Sequence, residues 1–346
     1  ELTEMAEAFG TPRRSVISGI AAPPPTKSST VTKDLSLAHI ANCSRIWNEE
    51  EDSGDPDADG DYKPRDSFAW LVAHLQRGLN IRLNTRVIEV KLQEGAQGVA
   101  VETADGATVC CEAVVVTAPP PVVTSGSIAF SPPLPEAVLA AYASLDFNNA
   151  IKIICAFSSA PWPKNVHGMI MTGCPIPEVW FSDCADRADE PADGSPKAVC
   201  YCTGFATAGY ADKLLSTYSK DELPGVLVTQ LTKVFGALTP EHMSADVFHP
   251  ANHALRSALP NVESVFLRGM VHDWRAQHPS VGGGYAFLRA GGSVDALKVL
   301  AKPVDDRIFF AGEATMVPGL TAHAALESGS RAAAQVAVAL GVWPRV

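Results

Sequence analysis

Long apolar runs are missing. No stretch of the 346 residues is apolar enough for long enough to span a bilayer as a helix, so no membrane partner is expected. Basic residues are scarce too. Lys and Arg number 27 against 38 Asp and Glu, a formal net charge of −11, and no Lys/Arg block occurs, which argues against a nucleic-acid surface. The eight cysteines lie singly or as Cys110–Cys111 and Cys200-Tyr-Cys202, with no zinc spacing, so a structural metal is not expected. Several sit in apolar runs and read as buried free thiols of a reducing compartment, so an intracellular, cytoplasmic location is expected. The chain also lacks a GxGxxG, the loop that lets a dinucleotide pyrophosphate approach a helix start. It begins with Glu1 and is expected to be a fragment of a longer protein.

What is present is a globular composition, 47% hydrophobic and 19% charged, long enough for two domains. An acidic balance suits a cationic substrate. The most informative stretch is 307–340, RIFFAGEATMVPGLTAHAALESGSRAAAQVAVAL. It reads as strand, turn, helix. Residues 307–311 fit a buried strand, Gly312 stops it, and Glu313 follows at the carboxyl end, where open α/β sheets hold ligands. Thr321 can cap the helix, and Ala322, Ala325, Gly329 and Ala332 give that helix a very small side. A helix start with free N–H groups is also an anion site.

FFAGEAT…TAHAALESGSRAA resembles the C-terminal FAD signature of the flavin amine oxidases, which include monoamine oxidases, polyamine oxidases and lysine-specific histone demethylases. The resemblance implies that Gly312 and Glu313 meet the FAD ribose and that Thr321 and Ala322 lie under the flavin pyrimidine. The order NTRV, meander, VVVTAPP (residues 84–120) matches the same family. It implies that Val87 meets the adenine end of FAD through its backbone, with Thr117 at the end of a cofactor-domain strand; read alone, Val87 is a plain core valine. The match covers roughly residues 67–341.

The rest of the chain reads in order. Residues 1–66 are a poorly defined segment whose acidic run, 49–61, is a solvated loop or a lure for a cationic partner. Residues 67–79 fit an amphipathic helix with Phe68, Leu71, Val72 and Leu75 on one face. Strands are expected at 81–90, 99–103, 107–111 and 113–117, with Asp105-Gly106 turning a hairpin. A helix runs to about Ser144. The strand 151–157 reads as mostly buried, with Lys152 breaking it. A buried lysine must find a partner or give up its proton, whereas one at a strand edge snorkels outward. By resemblance Lys152 is the catalytic-site lysine that holds a water at flavin N5.

Further strands are expected at 179–182, 198–205 and 265–274, with a polar loop at 185–197. Ser219 and Glu222 read as a capping box for a helix to Phe235, with Gly236 just past its end and Pro224 a possible kink. WRAQHPSVGGGYAF resembles the family's segment beside the flavin, which puts Trp274 and Tyr285 there; the linker is one residue longer than usual and has His278 in place of Asp. No aromatic occurs in 316–320 to form the second wall of an amine cage.

The expected fold class is α/β: an incomplete FAD/NAD(P)-binding, glutathione-reductase-like domain at 67–125 and 262–346, and a mixed-sheet α+β substrate domain at 126–261. The implied function is FAD-dependent oxidation of a small-molecule amine, with O2 as electron acceptor and an imine and H2O2 as products. The phosphate-binding loop would come from a second chain or a preceding segment. Alternatives are another flavoprotein of the superfamily, of protoporphyrinogen or carotenoid type, and a non-catalytic scaffold without FAD.

Overall fold

A computed structural model describes residues 68–93, 98–162, 166, 168–171, 173–183, 200–237, 260–277, 280–316 and 321–342. The expectations for 1–66, for the loop 185–197, for His278 and for 317–320 lie outside them. In chain order the elements are α1 (Phe68–Leu75), β1 (Val87–Leu92), β2 (Val99–Thr103), β3 (Thr108–Cys111), β4 (Val114–Val116), α2 (Pro120–Thr124), β5 (Ala129–Ser131) and α3 (Glu136–Ala143). Then come β6 (Leu145–Phe147), β7 (Ala150–Phe157), β8 (Gly168–Ile170), β9 (Glu178–Asp183), β10 (Cys200–Thr207), α4 (Ala208–Thr217) and α5 (Leu223–Ala237). The chain ends with α6 (Val262–Val265), β11 (Phe266–Asp273), α7 (Trp274–Gln277), β12 (Ala286–Leu288), α8 (Asp295–Leu300), β13 (Ile308–Phe310), a 3-10 turn (Glu313–Thr315) and α9 (Ala322–Ala339).

Two compact units divide the chain, with change-overs at Asp146/Phe147 and Tyr285/Ala286. The sequence expectation puts those crossings after 125 and 261. The difference has a packing cause. Helix α3 packs on α8, which keeps 126–146 with the first unit, and β11 pairs with β7, which keeps 262–285 with the second.

The first unit contains a four-stranded sheet, β3-β2-β1-β5, and the parallel pair β13-β4. The hairpin between β2 and β3 turns at Asp105-Gly106 as expected, with Gly106 at φ 86 and the Thr103 amide donating to the Ala107 carbonyl at 2.9 Å. Strand β1 starts at Val87, six residues later than expected. Ile81 and Leu83 alternate like strand residues, but Asn84 takes φ 54 and a turn interrupts the run. Helix α1 forms where the spacing predicts it, yet none of its residues is buried.

The second unit is built on a five-stranded antiparallel sheet, β11-β7-β10-β9-β8. One face is closed by α5, whose Leu223, Leu227 and Leu231 recur every four residues and are fully buried. They meet Ile151, Ile153, Cys155 and Phe157 of β7, with Trp162 and Phe181 completing the cluster. Cys155 and Cys202 sit directly opposite each other in this core, and Cys200 joins them; all three are buried free thiols, as the sequence leads one to expect. The hydrogen bond to Cys155 and then burial push the Cys202 thiol well up. Pro224 does not kink α5: it falls in the first turn, where a missing N–H costs no helical bond. Glu222 Oε2 accepts from the Ser219 amide and hydroxyl, each at 2.8 Å, so the carboxylate half of the capping box forms.

Gln230 ties α5 to the turn before β9. Its Nε2 donates to the Ile176 carbonyl at 2.8 Å and its Oε1 accepts from the Ile176 amide at 3.0 Å, all within the core. Replacing Gln230 with Leu keeps the size but leaves both backbone groups of Ile176 without partners. We expect a loss of about 2–5 kcal/mol in unfolding free energy, read as a lower urea midpoint.

Candidate functional site

The parallel strands β4 and β13 run Ile308 to Phe310 beside Val114 to Val116, and the Ala311 amide donates to the Val116 carbonyl at 3.1 Å. Their carboxyl ends therefore set Thr117 beside Gly312 and Glu313. Gly312 has φ 128, a conformation that a side chain disfavours, while an added Cβ would meet no atom within 4 Å. Glycine is required there by the backbone turn and not by crowding. The amide of Gly312 donates to Ser328 Oγ at 2.7 Å, which pins the turn to α9; Ser328 is fully buried and donates in turn to the Ala325 carbonyl at 2.6 Å.

Glu313 is half-buried, and its Oε1 accepts from the Ala286 amide at 3.0 Å. Thr321 caps α9 as predicted, its Oγ1 accepting from the Ala324 amide at 3.1 Å. Thr321 lies about 10 Å towards the helix start from Ser328, seven residues at about 1.5 Å each, and Ala322 opens the helix on an exposed surface. Val87 stands on a different sheet of the same unit, half-buried and paired with Thr103 at a β-irregularity.

One residue of this region escapes the motif reading. Arg331, half-buried on α9, donates Nη1 to the Ala301 carbonyl (2.7 Å) and Gln335 Oε1 (3.2 Å), and Nη2 to the Phe310 carbonyl (3.1 Å) and Thr315 Oγ1 (2.7 Å). It ties the helix to the end of β13 and to the turn that carries Glu313. The signal was available: Ser328 and Arg331 are polar residues at helical spacing on an otherwise alanine-rich face. Burial pulls the Arg331 pKa down.

In the other unit the strand pairing decides between the two settings open to Lys152. The side chain is exposed, not buried. Ile151, Ile153, Cys155 and Phe157 fill the core face of β7, so Lys152 points to the opposite face with Phe205 and His272 as its cross-strand neighbours. His272 and Trp274 meet edge to face, with ring centroids 4.3 Å apart, and His272 Nε2 is buried with no hydrogen-bond partner among the described residues. Tyr285 is half-buried on the loop that returns along β7. Gly284 donates to the Asn148 carbonyl at 2.9 Å, and a Cβ on it would lie 2.6 Å from Ala150 Cβ. Burial first, and then the Glu178 carboxylate, push the Tyr285 phenol up, while a hydrogen bond with Thr207 opposes them.

Trp274 is held from below. Asp273 pairs with Lys220 at 3.0 Å and accepts from the Ala276 amide at 3.3 Å, and Asn149 Oδ1 accepts from the Arg275 amide at 3.3 Å. Burial alone would raise the Asp273 carboxyl; Lys220, the Ala276 amide and Asn149 outweigh it and hold the group below the usual carboxylate range.

Chemically, one unit presents an acceptor and a helix start, and the other presents an open face with a lysine, aromatic rings and a carboxylate. Glu313 suits ribose hydroxyls, and the first turn of α9 suits an anionic or carbonyl edge. A site for a pyrophosphate is not supplied by any GxGxxG in the sequence.

Two outcomes follow from these contacts. Arg331→Lys replaces a four-contact fork with a single ammonium and should cost about 1–3 kcal/mol, seen as a lower Tm. Asp273→Asn should lower Tm at neutral pH. Because the folded pKa of Asp273 lies below its unfolded value, its contribution is full above the unfolded pKa, about 4, and is lost as pH falls through the lowered folded value. The gap in Tm between wild type and variant should therefore close in strong acid.

Comparison with known proteins shows what the chain is similar to. The family model described as flavin-containing amine oxidoreductase matches residues 56–337. Polyamine oxidase 2 of Arabidopsis thaliana is 30% identical over 269 residues, 76% of this chain and 46% of that protein. Lysine-specific histone demethylase 1 homolog 3 of Arabidopsis thaliana is 26% identical over 309 residues, 83% of this chain and 16% of that protein. The solved structure of wild-type putrescine oxidase bound to putrescine shares the fold at a TM-score of 0.56 and 19% identity, covering 75% of this chain and 50% of that one. The chain spans at most about half the length of these relatives. The described residues contain no helix long and apolar enough to cross a membrane and no metal-ligand cluster. Matched by that family model over most of its length, the chain belongs to the flavin-containing amine oxidoreductase family.

Proposed function

We propose that the chain contributes to an FAD-dependent amine oxidase, with cofactor-holding residues in the first unit and amine-facing residues in the second. The observation that carries this reading is the carboxyl end of the β4–β13 pair. There Gly312, Glu313 and Thr117 converge on a turn that Ser328 and Arg331 lock to α9. Glu313 would hold the FAD ribose, Thr321 and Ala322 the pyrimidine edge, and Val87 the adenine end. We assign this unit to the glutathione-reductase-like class, in keeping with its parallel pair and antiparallel meander.

When bound, the flavin supplies the two-electron chemistry that turns an amine into an imine and, on reoxidation, O2 into H2O2. The protein's own part is positioning and water exclusion. Trp274 and Tyr285 offer ring edges to the amine carbon, and Lys152 holds a water at the reacting end of the open face. An ammonium beside Lys152 would be repelled, so the reacting nitrogen is neutral there. An intracellular, cytoplasmic location belongs to the same proposal, supported by buried free thiols at Cys155, Cys200 and Cys202.

The missing GxGxxG favours a second element of the reading: a segment or second chain must supply the pyrophosphate site. Without it, several charge-assisted hydrogen bonds of about 1.5–3 kcal/mol each are lost, and FAD binding weakens by orders of magnitude. The 346-residue chain is therefore expected to leave gel filtration without flavin absorbance, and to retain FAD once joined to a GxGxxG-bearing part. In that assembly an amine should drive H2O2 release, and Lys152→Met should slow turnover roughly tenfold or more, about 1.4 kcal/mol in barrier, with FAD content unchanged. A yellow chain on its own would overturn the second element. A flavin-loaded assembly inert to every amine would overturn the first.

A further inference from the structure

The pairing of β11 with β7 sets His272 directly opposite Lys152, both on the open face of the five-stranded sheet. Directly opposed residues of an antiparallel pair have Cβ atoms about 4.5–5.5 Å apart. Four bonds of about 1.5 Å separate a lysine Cβ from its Nζ, enough to bring the ammonium onto a ring so placed.

The two side chains have complementary needs. His272 Nε2 is buried and has no hydrogen-bond partner among the described residues. A polar atom left in that state is costly. Lys152 is exposed, and among the described residues it forms no ion pair or hydrogen bond. It is a donor without an acceptor, one strand away from a ring nitrogen without a partner.

The other neighbours of His272 do not meet its need. Trp274 packs edge to face on the imidazole, with ring centroids 4.3 Å apart, and so fixes the ring rather than bonding its nitrogen. Asp273 is opposed to Ile151 on the core face and pairs there with Lys220 at 3.0 Å. Arg275 pairs with Asp212 at 3.3 Å. Arg268 stands four residues back along β11, roughly 14 Å away at about 3.4 Å per residue. Glu178 stands three strands across, also roughly 14 Å away, and as a carboxylate it is an acceptor. The Lys152 ammonium is the charged donor on this face within reach.

For Nε2 to accept, the imidazole has to be neutral with its proton on Nδ1. We propose that His272 is a positioning residue for Lys152: as the Nδ1–H tautomer, its Nε2 accepts from Lys152 Nζ and holds the ammonium over the open face. Two N–H groups of the ammonium then remain for a water. The support runs back to the core in steps. Asp273 and Asn149 hold the Ala276 and Arg275 amides, the turn they hold carries Trp274, Trp274 packs on His272, and His272 fixes the lysine. An unheld lysine on a sheet face would sample many rotamers, and one charge-assisted bond to a packed ring selects among them. The catalytic consequence rests on the amine-oxidase reading; the bond itself does not, since both partners lie on paired strands of this chain.

Nitrogen NMR of the purified chain tests the bond. The chain is labelled with imidazole-15N histidine and observed at about pH 8.5, where imidazoles are neutral. It has nine histidines, and the His272 signals are the ones lost in His272→Phe. His272 should show a protonated Nδ1 and a bare Nε2. Lys152→Met should shift its tautomer ratio about ten- to hundredfold towards Nε2–H, the worth of a charge-assisted hydrogen bond. Lys152→Arg should keep the Nδ1–H form, and Lys213→Met, at an exposed lysine on α4, should change nothing. Lys152→Gln replaces Lys152→Met if the methionine variant aggregates. An Nε2–H tautomer in the wild type, or a tautomer ratio indifferent to Lys152, would overturn the bond. In the flavin-loaded assembly, His272→Phe keeps a ring against Trp274 and should slow turnover several-fold. His272→Gln, whose amide oxygen can accept, should restore most of it. His272→Phe added to Lys152→Met should cost little more than Lys152→Met alone, and fully additive losses would overturn the positioning role. A Lys152-dependent tautomer in an assembly inert to every amine would instead overturn the oxidase reading and leave the bond standing.

Discussion

The burial of one face of the five-stranded sheet against α5 is the constraint from which the second unit's chemistry follows. Strand side chains alternate, so fixing Ile151, Ile153, Cys155 and Phe157 inward also fixes Lys152 outward. The same rule, carried across the register, lines up Glu178, Phe205, Lys152 and His272 on the opposite face. A slip of one residue in β7 would bury the lysine and expose the isoleucines. The leucines of α5 and the buried amide of Gln230 therefore govern the opposite face from within the core.

The first unit works by a different device. Its strand–turn–helix is held by polar groups buried beneath it, not by a broad apolar sheet. Ser328 fastens Gly312, and Arg331 gathers the Phe310 carbonyl, Thr315 and Ala301. Such contacts fix direction as well as distance, which suits the role proposed for Glu313, whose carboxylate would present an oxygen to a ligand hydroxyl.

Much of this was legible in the residues. β-Branched and aromatic runs marked β4, β7 and β13, Asp105-Gly106 marked its hairpin, and the FAGE…ESG spacing marked the cofactor element. What stayed hidden has physical reasons. Both faces of β7 are apolar enough that periodicity could not say which way Lys152 turns; only the packing of α5 decides it. The start of β1 was misplaced because Ile81 and Leu83 alternate correctly while Asn84 adopts a left-handed turn. His272 carries no motif, and its setting opposite Lys152 arises from the pairing of β11 with β7. Ser328 and Arg331 were visible as polar breaks in an alanine face, but their partners come from β13 and the segment after α8.

The thiol cluster behind the open face of the sheet bears on durability. Cys155, Cys200 and Cys202 are shut away from water, and Cys202 is held as the neutral thiol by its neighbour and by burial. Peroxide attacks the thiolate and needs access to it. A core of this kind can keep three cysteines reduced one sheet-thickness from a face where the proposed reaction releases an oxidant.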